Sequence, residues 1–545
     1  MSAPLSVALS AAPAPPAPAA PPPPAPLAAA APPPTISATA ATLSQRGQRA
    51  LAPALPYWAL FEEGMARGLH CARERPDGFV LLAVAENRLA FAAHAIARLD
   101  EPDVRGAVSG DTGAYTFMTG RLPLREAWAA FAQRTVLRRG AAATGARVEA
   151  QHLVVGSGCG GLISTLTFLL CEPGDGVLLP TPTYAALYND FSVLSQAQVL
   201  DVPTSAADGF AVTDEALDEA LLRAARTGTI VRMLFLINPH NPLGIVYREE
   251  DVRRCIRWAR DNGVHCVVDE IYANSVWGDE PLPQAAAGAL AAAGAVAGAG
   301  TSASASAGAA AGAAAAAADV APAHFVSAVD ICASEEGTDA IVHVLWGASK
   351  DLGMSGFRMG VLHTRNTALL SAFANVNYFT TVSNHTQDAL TQLLRDETWV
   401  DEYMRTSRRL LRESYEALAA ILRAAEIPFV EARAGMFVWI DLRRLLRGAG
   451  FEAERALTRE LFDSVSSRAR PRAASAAARS PRKRVPLCAI AQIHVLFTPG
   501  EYQHAPEPGF YRVCYGYAPK ESVVVAFERL RDFAARRAGS VSAAR

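Results

Sequence analysis

One lysine stands out by its setting. In WGASKDLGMSGFRMG, residues 346–360, Lys350 lies between Ser349 and Asp351 in a run of small residues, and the next cation, Arg358, comes eight positions later. Two readings suit that arrangement. One is a solvated Lys-Asp turn. The other is an amine that condenses with an aldehyde cofactor, while the arginine holds that cofactor's phosphate. What the chain places beside these two residues decides between them.

Three further stretches carry polar groups in well-aimed or costly places. GSGCGG (156–161) follows one apolar run and opens a helical one, so its backbone N–H groups can cradle a phosphate; a plain tight turn has the same composition. NPHNPLG (238–244) has two Asn-Pro pairs and a glycine, which read first as a turn. It also ends a buried strand with amides aimed at a crevice. DEIY (269–272) closes a third run, and the charge of Asp269 there is penalised unless a cation or N–H group meets it.

The elements that must position these residues are legible. HLVVG (152–156), GVLLP (176–180), VRMLFLI (231–237), HCVVDE (265–270) and IVHVLW (341–346) are nearly continuous in Val, Ile and Leu, as strands covered on both faces should be. Helical stretches such as 161–171, 214–226 and 249–262 separate several of them. The alternation predicts an α/β domain with a mostly parallel sheet wrapped by helices. In such sheets ligands sit at the carboxyl ends of the strands, where the phosphate turn, the amide, the carboxylate with its phenol and the lysine all fall.

Composition bounds the rest. The chain has 545 residues and a formal net charge of −2, which gives no reason to expect nucleic acid or an anionic membrane as partner. No apolar run approaches a membrane span. The eight cysteines are scattered without a CxxC pair or a histidine at metal spacing, as expected of reduced, mostly buried thiols in an intracellular protein with no metal site. Residues 1–50 are mostly Ala and Pro, 284–322 are almost wholly Ala, Gly and Ser, and 466–485 are mostly Arg, Ala, Ser and Pro; such compositions predict segments that stay disordered. The leading arm has no acidic residue before Glu62 and carries Arg46 and Arg49, so a disordered tail on a cytoplasmic protein and an organelle signal are both readings, the high proline favouring the tail.

With these residues in hand, the chain resembles the class I/II pyridoxal-phosphate aminotransferases of fold type I, and within them the 1-aminocyclopropane-1-carboxylate (ACC) synthase-like branch. The resemblance runs from AENRLAF (85–91) to FYRVCYG (510–516), interrupted by the two inserts, and is carried by NPHNPLG, DEIYA, SKDLGMSGFRMG, AGMFVWIDLR (434–443) and TPGEYQHAPEPGFYRV (498–513) together. It implies a seven-stranded-type large domain over about 146–380, with 284–322 as an insert in the Asp269–Lys350 interval. A smaller α+β domain would cover 381–540, interrupted by 466–485. Residues 51–145 would contribute to that small domain and to the active-site mouth.

The resemblance also implies roles. Lys350 would form the Schiff base with pyridoxal 5′-phosphate and then act as general base, and Asp269 would pair with the protonated ring nitrogen. Asn241 and Tyr272 would hydrogen-bond the ring's phenolic oxygen, and Tyr184 would stack on the ring face. Ser349, Arg358 and the turn Gly158–Cys159–Gly160 would hold the phosphate. Arg512 would clamp the substrate's α-carboxylate, and Glu86 would stand near its amino or side-chain end. For Tyr184 and Glu86 the alternatives are a core aromatic and a solvated carboxylate. The partners implied are an amino acid and a keto acid, or S-adenosylmethionine, and a second copy of the chain in a homodimer.

Three departures bear on activity. Aligning TGRLPLREA (119–127) with the family's Y-H-G-L-P-E-F-R segment puts Met118 where a tyrosine normally reaches the phosphate or substrate across the dimer interface; Tyr115 could substitute only with a loop shift. Gly347 replaces a phosphate-binding serine, and Gly160 a threonine of the phosphate turn. These changes favour an aminotransferase over the alternative, an ACC synthase acting on S-adenosylmethionine. A degenerate fold with a binding role is a third reading, opposed by the intact Lys350, Asp269, Tyr272, Arg358 and Arg512.

Overall fold

The computed structural model describes residues 44–49, 51, 57–137, 145–277, 324–463 and 493–542. Both inserts, 284–322 and 466–485, and nearly all of the leading Ala/Pro arm lie outside the described residues. The chain separates into two units, Met1–Gln48 and Arg49–Arg545. Of the first, only residues 44–48 are described, and they begin the helix Gln45–Arg49.

Seven strands make the main sheet of the second unit: β2 (Leu153–Gly156), β3 (Gly176–Thr181), β4 (Gln198–Pro203), β5 (Val231–Ile237), β6 (His265–Asp269), β7 (Val342–Gly347) and β8 (Gly360–Thr364). A two-residue strand, β1 (Val80–Leu81), precedes them in the chain. The spatial order is β2-β8-β7-β6-β5-β3-β4. β8 runs antiparallel to both of its neighbours, and the other six strands run parallel. All five apolar runs of the sequence are strands here. β4 is an edge strand with one buried residue among its six, the rest half-buried or exposed, so it carries no continuous apolar signal.

The helices follow from local chemistry. Glu249–Asp261 has three acidic residues in its first turn and Arg260 in its last, which matches the helix dipole. It buries Val252, Cys255, Ile256, Trp258 and Ala259 on one face. Asp214–Arg226 is capped by the Thr213 hydroxyl, which accepts the Ala216 N–H at 3.2 Å. The sheet lies between two apolar cores, one holding Val155, Leu178, Leu234, Leu236, Val268 and Val344, the other Val154, Val177, Met233, Phe235, Val267 and Leu345. Alternate residues of each strand thus face opposite cores, which is why these strands are apolar throughout.

A 28-residue helix, Glu397–Ala424, leads to a second, antiparallel sheet. Its strands are β9 (Phe437–Asp441), β11 (Thr498–Pro499) and β12 (Phe510–Cys514), in the order β11-β12-β9. β10 (Val495–Leu496) pairs in parallel with β1, and so ties residues 80–81 to the C-terminal region.

Candidate active site

The carboxyl ends of β2, β6 and β7 and the middle of β12 converge on one cleft. Lys350 follows β7 and is partly exposed there, its amine donating to the Ala85 carbonyl at 2.7 Å. Burial lowers the amine's pKa below the ordinary lysine value, and the Arg512 guanidinium lowers it further. A lysine shifted this way has a larger share of neutral, nucleophilic amine.

Asp269 ends β6, 8% exposed, and its Oδ1 accepts the Ile271 N–H at 3.1 Å. Desolvation pushes the carboxyl up to about 7, against the pull of that N–H and of Lys350. Among the described residues the buried carboxyl thus has no cation in hydrogen-bonding contact, which suits a cation arriving with a ligand. Asn241 Nδ2 donates to the Tyr272 hydroxyl at 3.2 Å, and burial holds that phenol well above its ordinary pKa.

Arg512 is 1% exposed. Nη1 donates to Asn241 Oδ1 at 3.1 Å, and Nη2 donates to the Ala83 carbonyl at 2.8 Å and to Thr498 Oγ1 at 3.2 Å. Nε, also buried, has no hydrogen-bond partner among the described residues. The fork is therefore oriented before any ligand meets it.

The opposite end is the turn into the helix Gly158–Leu170. Gly158 has φ +73°, which favours glycine, and a Cβ there would stand 2.7 Å from Arg358 Nη2 and displace the guanidinium. Arg358 is a non-glycine residue at φ +50°, a conformation that costs about 1–2 kcal/mol, and Nη1 donates to the Ser355 carbonyl at 3.0 Å. Ser349 is buried between Gly347 and Lys350. Gly160 lies in the helix's first turn, and Tyr184 packs half-buried at the cleft wall.

The loss of a hydroxyl at Gly347 has a local counterpart. A Cβ at 347 would stand 3.2 Å from Cys159 Sγ, which donates to the Trp346 carbonyl at 3.2 Å. The thiol fills the space a larger residue would need. Burial, above all, raises its pKa, so it stays protonated.

Glu86 is held from two sides. Ser355 Oγ donates to Oε1 at 2.9 Å, and Arg88 Nε to Oε2 at 2.9 Å, with the Arg88 guanidinium 4.0 Å from the Tyr517 ring centroid. Its charge still acts on Lys350. Met118 is held at its carbonyl by Asn377 Nδ2. Tyr115 is 93% exposed and so does not stand in for the missing phenol within its own subunit.

Sequence reasoning missed Tyr57. It is 5% exposed, and its phenol faces Arg512; burial raises the phenol's pKa, and the guanidinium pulls it back. No motif marks it, because it stands at the end of the Ala/Pro-rich arm. Thr498 and the Ala83 carbonyl are likewise legible only once Arg512 is placed.

Taken together, an amine of lowered pKa, a buried carboxyl, an amide–phenol pair, a cationic fork and a glycine turn beside an arginine fit a phosphate-bearing pyridine aldehyde and an amino acid. That defines a pyridoxal-phosphate enzyme of the aminotransferase fold. Residues 79–530 match the family described as aminotransferase class I and II, and the chain belongs to it. The family depends on pyridoxal phosphate.

Similar proteins include 1-aminocyclopropane-1-carboxylate synthase 5 of Oryza sativa subsp. japonica, 30% identical over 471 residues, covering 85% of this chain and 74% of that one. 1-aminocyclopropane-1-carboxylate synthase 6 of Arabidopsis thaliana is 25% identical over 482 residues, covering 87% and 81%. Among solved structures, Thermus thermophilus aspartate aminotransferase with maleate superposes with TM-score 0.64 at 18% identity, covering 90% of this chain and 100% of that one. At that identity the likeness speaks for the fold alone. Among the described residues there is no group of three His, Cys, Asp or Glu side chains that could hold a metal, and no helix long and apolar enough to cross a membrane.

Proposed function

We propose that this enzyme is an aminotransferase that moves an α-amino group to a keto acid. Pyridoxal phosphate, when bound, supplies a carbonyl that condenses with an amine and a protonated ring that accepts an electron pair from Cα. Lys350 Nζ would take the proton from the substrate's Cα and carry it across the amino nitrogen toward the cofactor's carbonyl carbon, a role suited to an amine whose pKa burial and Arg512 lower. Asp269 would hold a proton on the ring nitrogen, and the hydrogen-bonded pair Asn241 and Tyr272 would orient the ring's phenolic oxygen. Arg512 binds the α-carboxylate through a fork already fixed by Asn241, Ala83 and Thr498. Arg358, Ser349 and the turn at Gly158–Gly160 hold the phosphate.

The observation that carries the choice of reaction is the sequence around residue 118. Met118 occupies the place where a phenol is expected, and a thioether donates no hydrogen bond. Proton transfer at Cα needs only the lysine, whereas displacement at a γ-carbon needs further contacts to a larger substrate. The second reading, an ACC synthase, is favoured by the names of the relatives at 25–30% identity. The enzyme acts as a homodimer in this reading, joined through an exposed aromatic surface of Tyr115, Phe117, Tyr378 and Phe379, which are 93%, 74%, 57% and 81% exposed.

The test is product identification. Purified protein with pyridoxal phosphate is given S-adenosylmethionine alone, then a panel of amino acids with keto acids. Keto-acid products from the panel support the proposal. Efficient formation of ACC with no amino transfer overturns it in favour of the lyase.

A further inference from the structure

The phosphate end of the cleft contains a carboxylate that the reading above leaves unused. Asp190 lies on the helix Ala186–Ser192, which packs against Gly158–Leu170; Ser164 Oγ donates to the Asp190 carbonyl at 2.9 Å. A Cβ on Gly160 would stand 3.4 Å from Asp190 Oδ1 and 3.5 Å from Oδ2. Both carboxylate oxygens therefore lie against the first turn of the helix that holds the phosphate. The charged and titratable groups around it are Arg358 on the turn before β8, Cys159 on the phosphate helix, Asp269 at the end of β6 and Tyr184 after β3. Arg358 is the one cation among them. Burial pushes the Asp190 carboxyl up to about 6, against the pull of Arg358.

A phosphate monoester is near its second ionisation, about pH 6, when it enters this site. One guanidinium and one helix end offset roughly one and a half negative charges, and a dianion beside a carboxylate exceeds that. Two adjoining anions relieve the excess by keeping one proton between them.

We propose that Asp190 couples cofactor binding to proton uptake: the phosphate enters the Gly158–Gly160 turn with one proton, drawn from solvent, shared between it and the Asp190 carboxyl. The consequence is a cofactor affinity that falls as pH rises above neutrality, by as much as about tenfold per pH unit. This rests on the placement of the phosphate at this turn.

The experiment titrates cofactor-free protein with pyridoxal phosphate, and in parallel with pyridoxal, which lacks the phosphate, from pH 6.5 to 8.5. Protein fluorescence reads the binding. The wild type should lose affinity for pyridoxal phosphate with rising pH more steeply than for pyridoxal. Asp190→Asn should remove that difference and bind pyridoxal phosphate at least about tenfold more tightly at pH 8.5. An unchanged pH profile in Asp190→Asn, or weaker binding at every pH, overturns the proposal.

Should that variant fail to fold, calorimetry of the wild type in two buffers of different ionisation heat decides. Greater proton uptake with pyridoxal phosphate than with pyridoxal supports the coupling, and equal uptake overturns it. If the wild type binds pyridoxal but gains nothing from the phosphate, the placement of the phosphate fails rather than the role of Asp190 alone.

Discussion

Replacing Asp269 by asparagine should stabilise the empty protein while damaging the enzyme. The folded carboxyl titrates near 7 because desolvation raises it from an ordinary 3.8. A carboxyl raised on folding is a cost wherever it must ionise. That cost is nil below the unfolded range, grows from about pH 4 to 7, and is complete above 7. At 1.36 kcal/mol per tenfold change it reaches about 4 kcal/mol at most. Asparagine keeps the shape and still accepts the Ile271 N–H, yet carries no charge at any pH.

Cofactor-free Asp269→Asn should therefore melt above cofactor-free wild type, and the gap should widen between pH 5.5 and 8.5. With pyridoxal phosphate the order should reverse, since the variant cannot hold a proton on the ring nitrogen, and turnover should drop by several kcal/mol of barrier, on the order of a thousandfold. Scanning calorimetry of both proteins with and without cofactor reads all of this. A gap that does not change with pH, or a variant less stable than wild type when empty at pH 8.5, would refute the desolvation argument.

Arg512→Lys keeps the charge but loses the fork to Asn241, Ala83 and Thr498; KM for the amino acid should rise at least tenfold with a smaller fall in kcat, measured by steady-state kinetics. Tyr57→Phe removes a hydroxyl facing Arg512, and kcat/KM should fall about three- to tenfold while the cofactor's absorbance is unchanged. Gly158→Ala adds a Cβ 2.7 Å from Arg358 Nη2 at φ +73°, so cofactor affinity should fall by tenfold or more in an equilibrium titration.

The sequence carried the inner strands and the groups at their ends, because buried parallel strands must be apolar on both faces and anything polar that ends them is conspicuous. VRMLFLI, HCVVDE and IVHVLW became β5, β6 and β7; Asp269 is the last residue of β6, and Asn241, Tyr272 and Lys350 lie just beyond the strands' carboxyl ends. The antiparallel insertion of β8 between β2 and β7 was not legible, since strand order is set by long-range pairing that no local pattern records. Nor was the edge strand β4, mostly half-buried or exposed and mixed in composition. In the site, Tyr57, Asp190 and the exchange of a side chain at 347 for the Cys159 thiol depend on residues far apart in the chain. The Glu86–Arg88–Ser355 tie also escaped notice, because two charges two residues apart read as an ordinary solvated surface.

The account turns on one covalent fact. Holoenzyme is reduced with borohydride, digested and mapped by mass spectrometry. The pyridoxyl group should be found on Lys350, within the peptide that contains Ser349 and Asp351, and Lys350→Ala should carry no such adduct and show no turnover. A cofactor fixed on another residue, or an unmodified Lys350 in an active, cofactor-loaded protein, would contradict the assignment of this cleft.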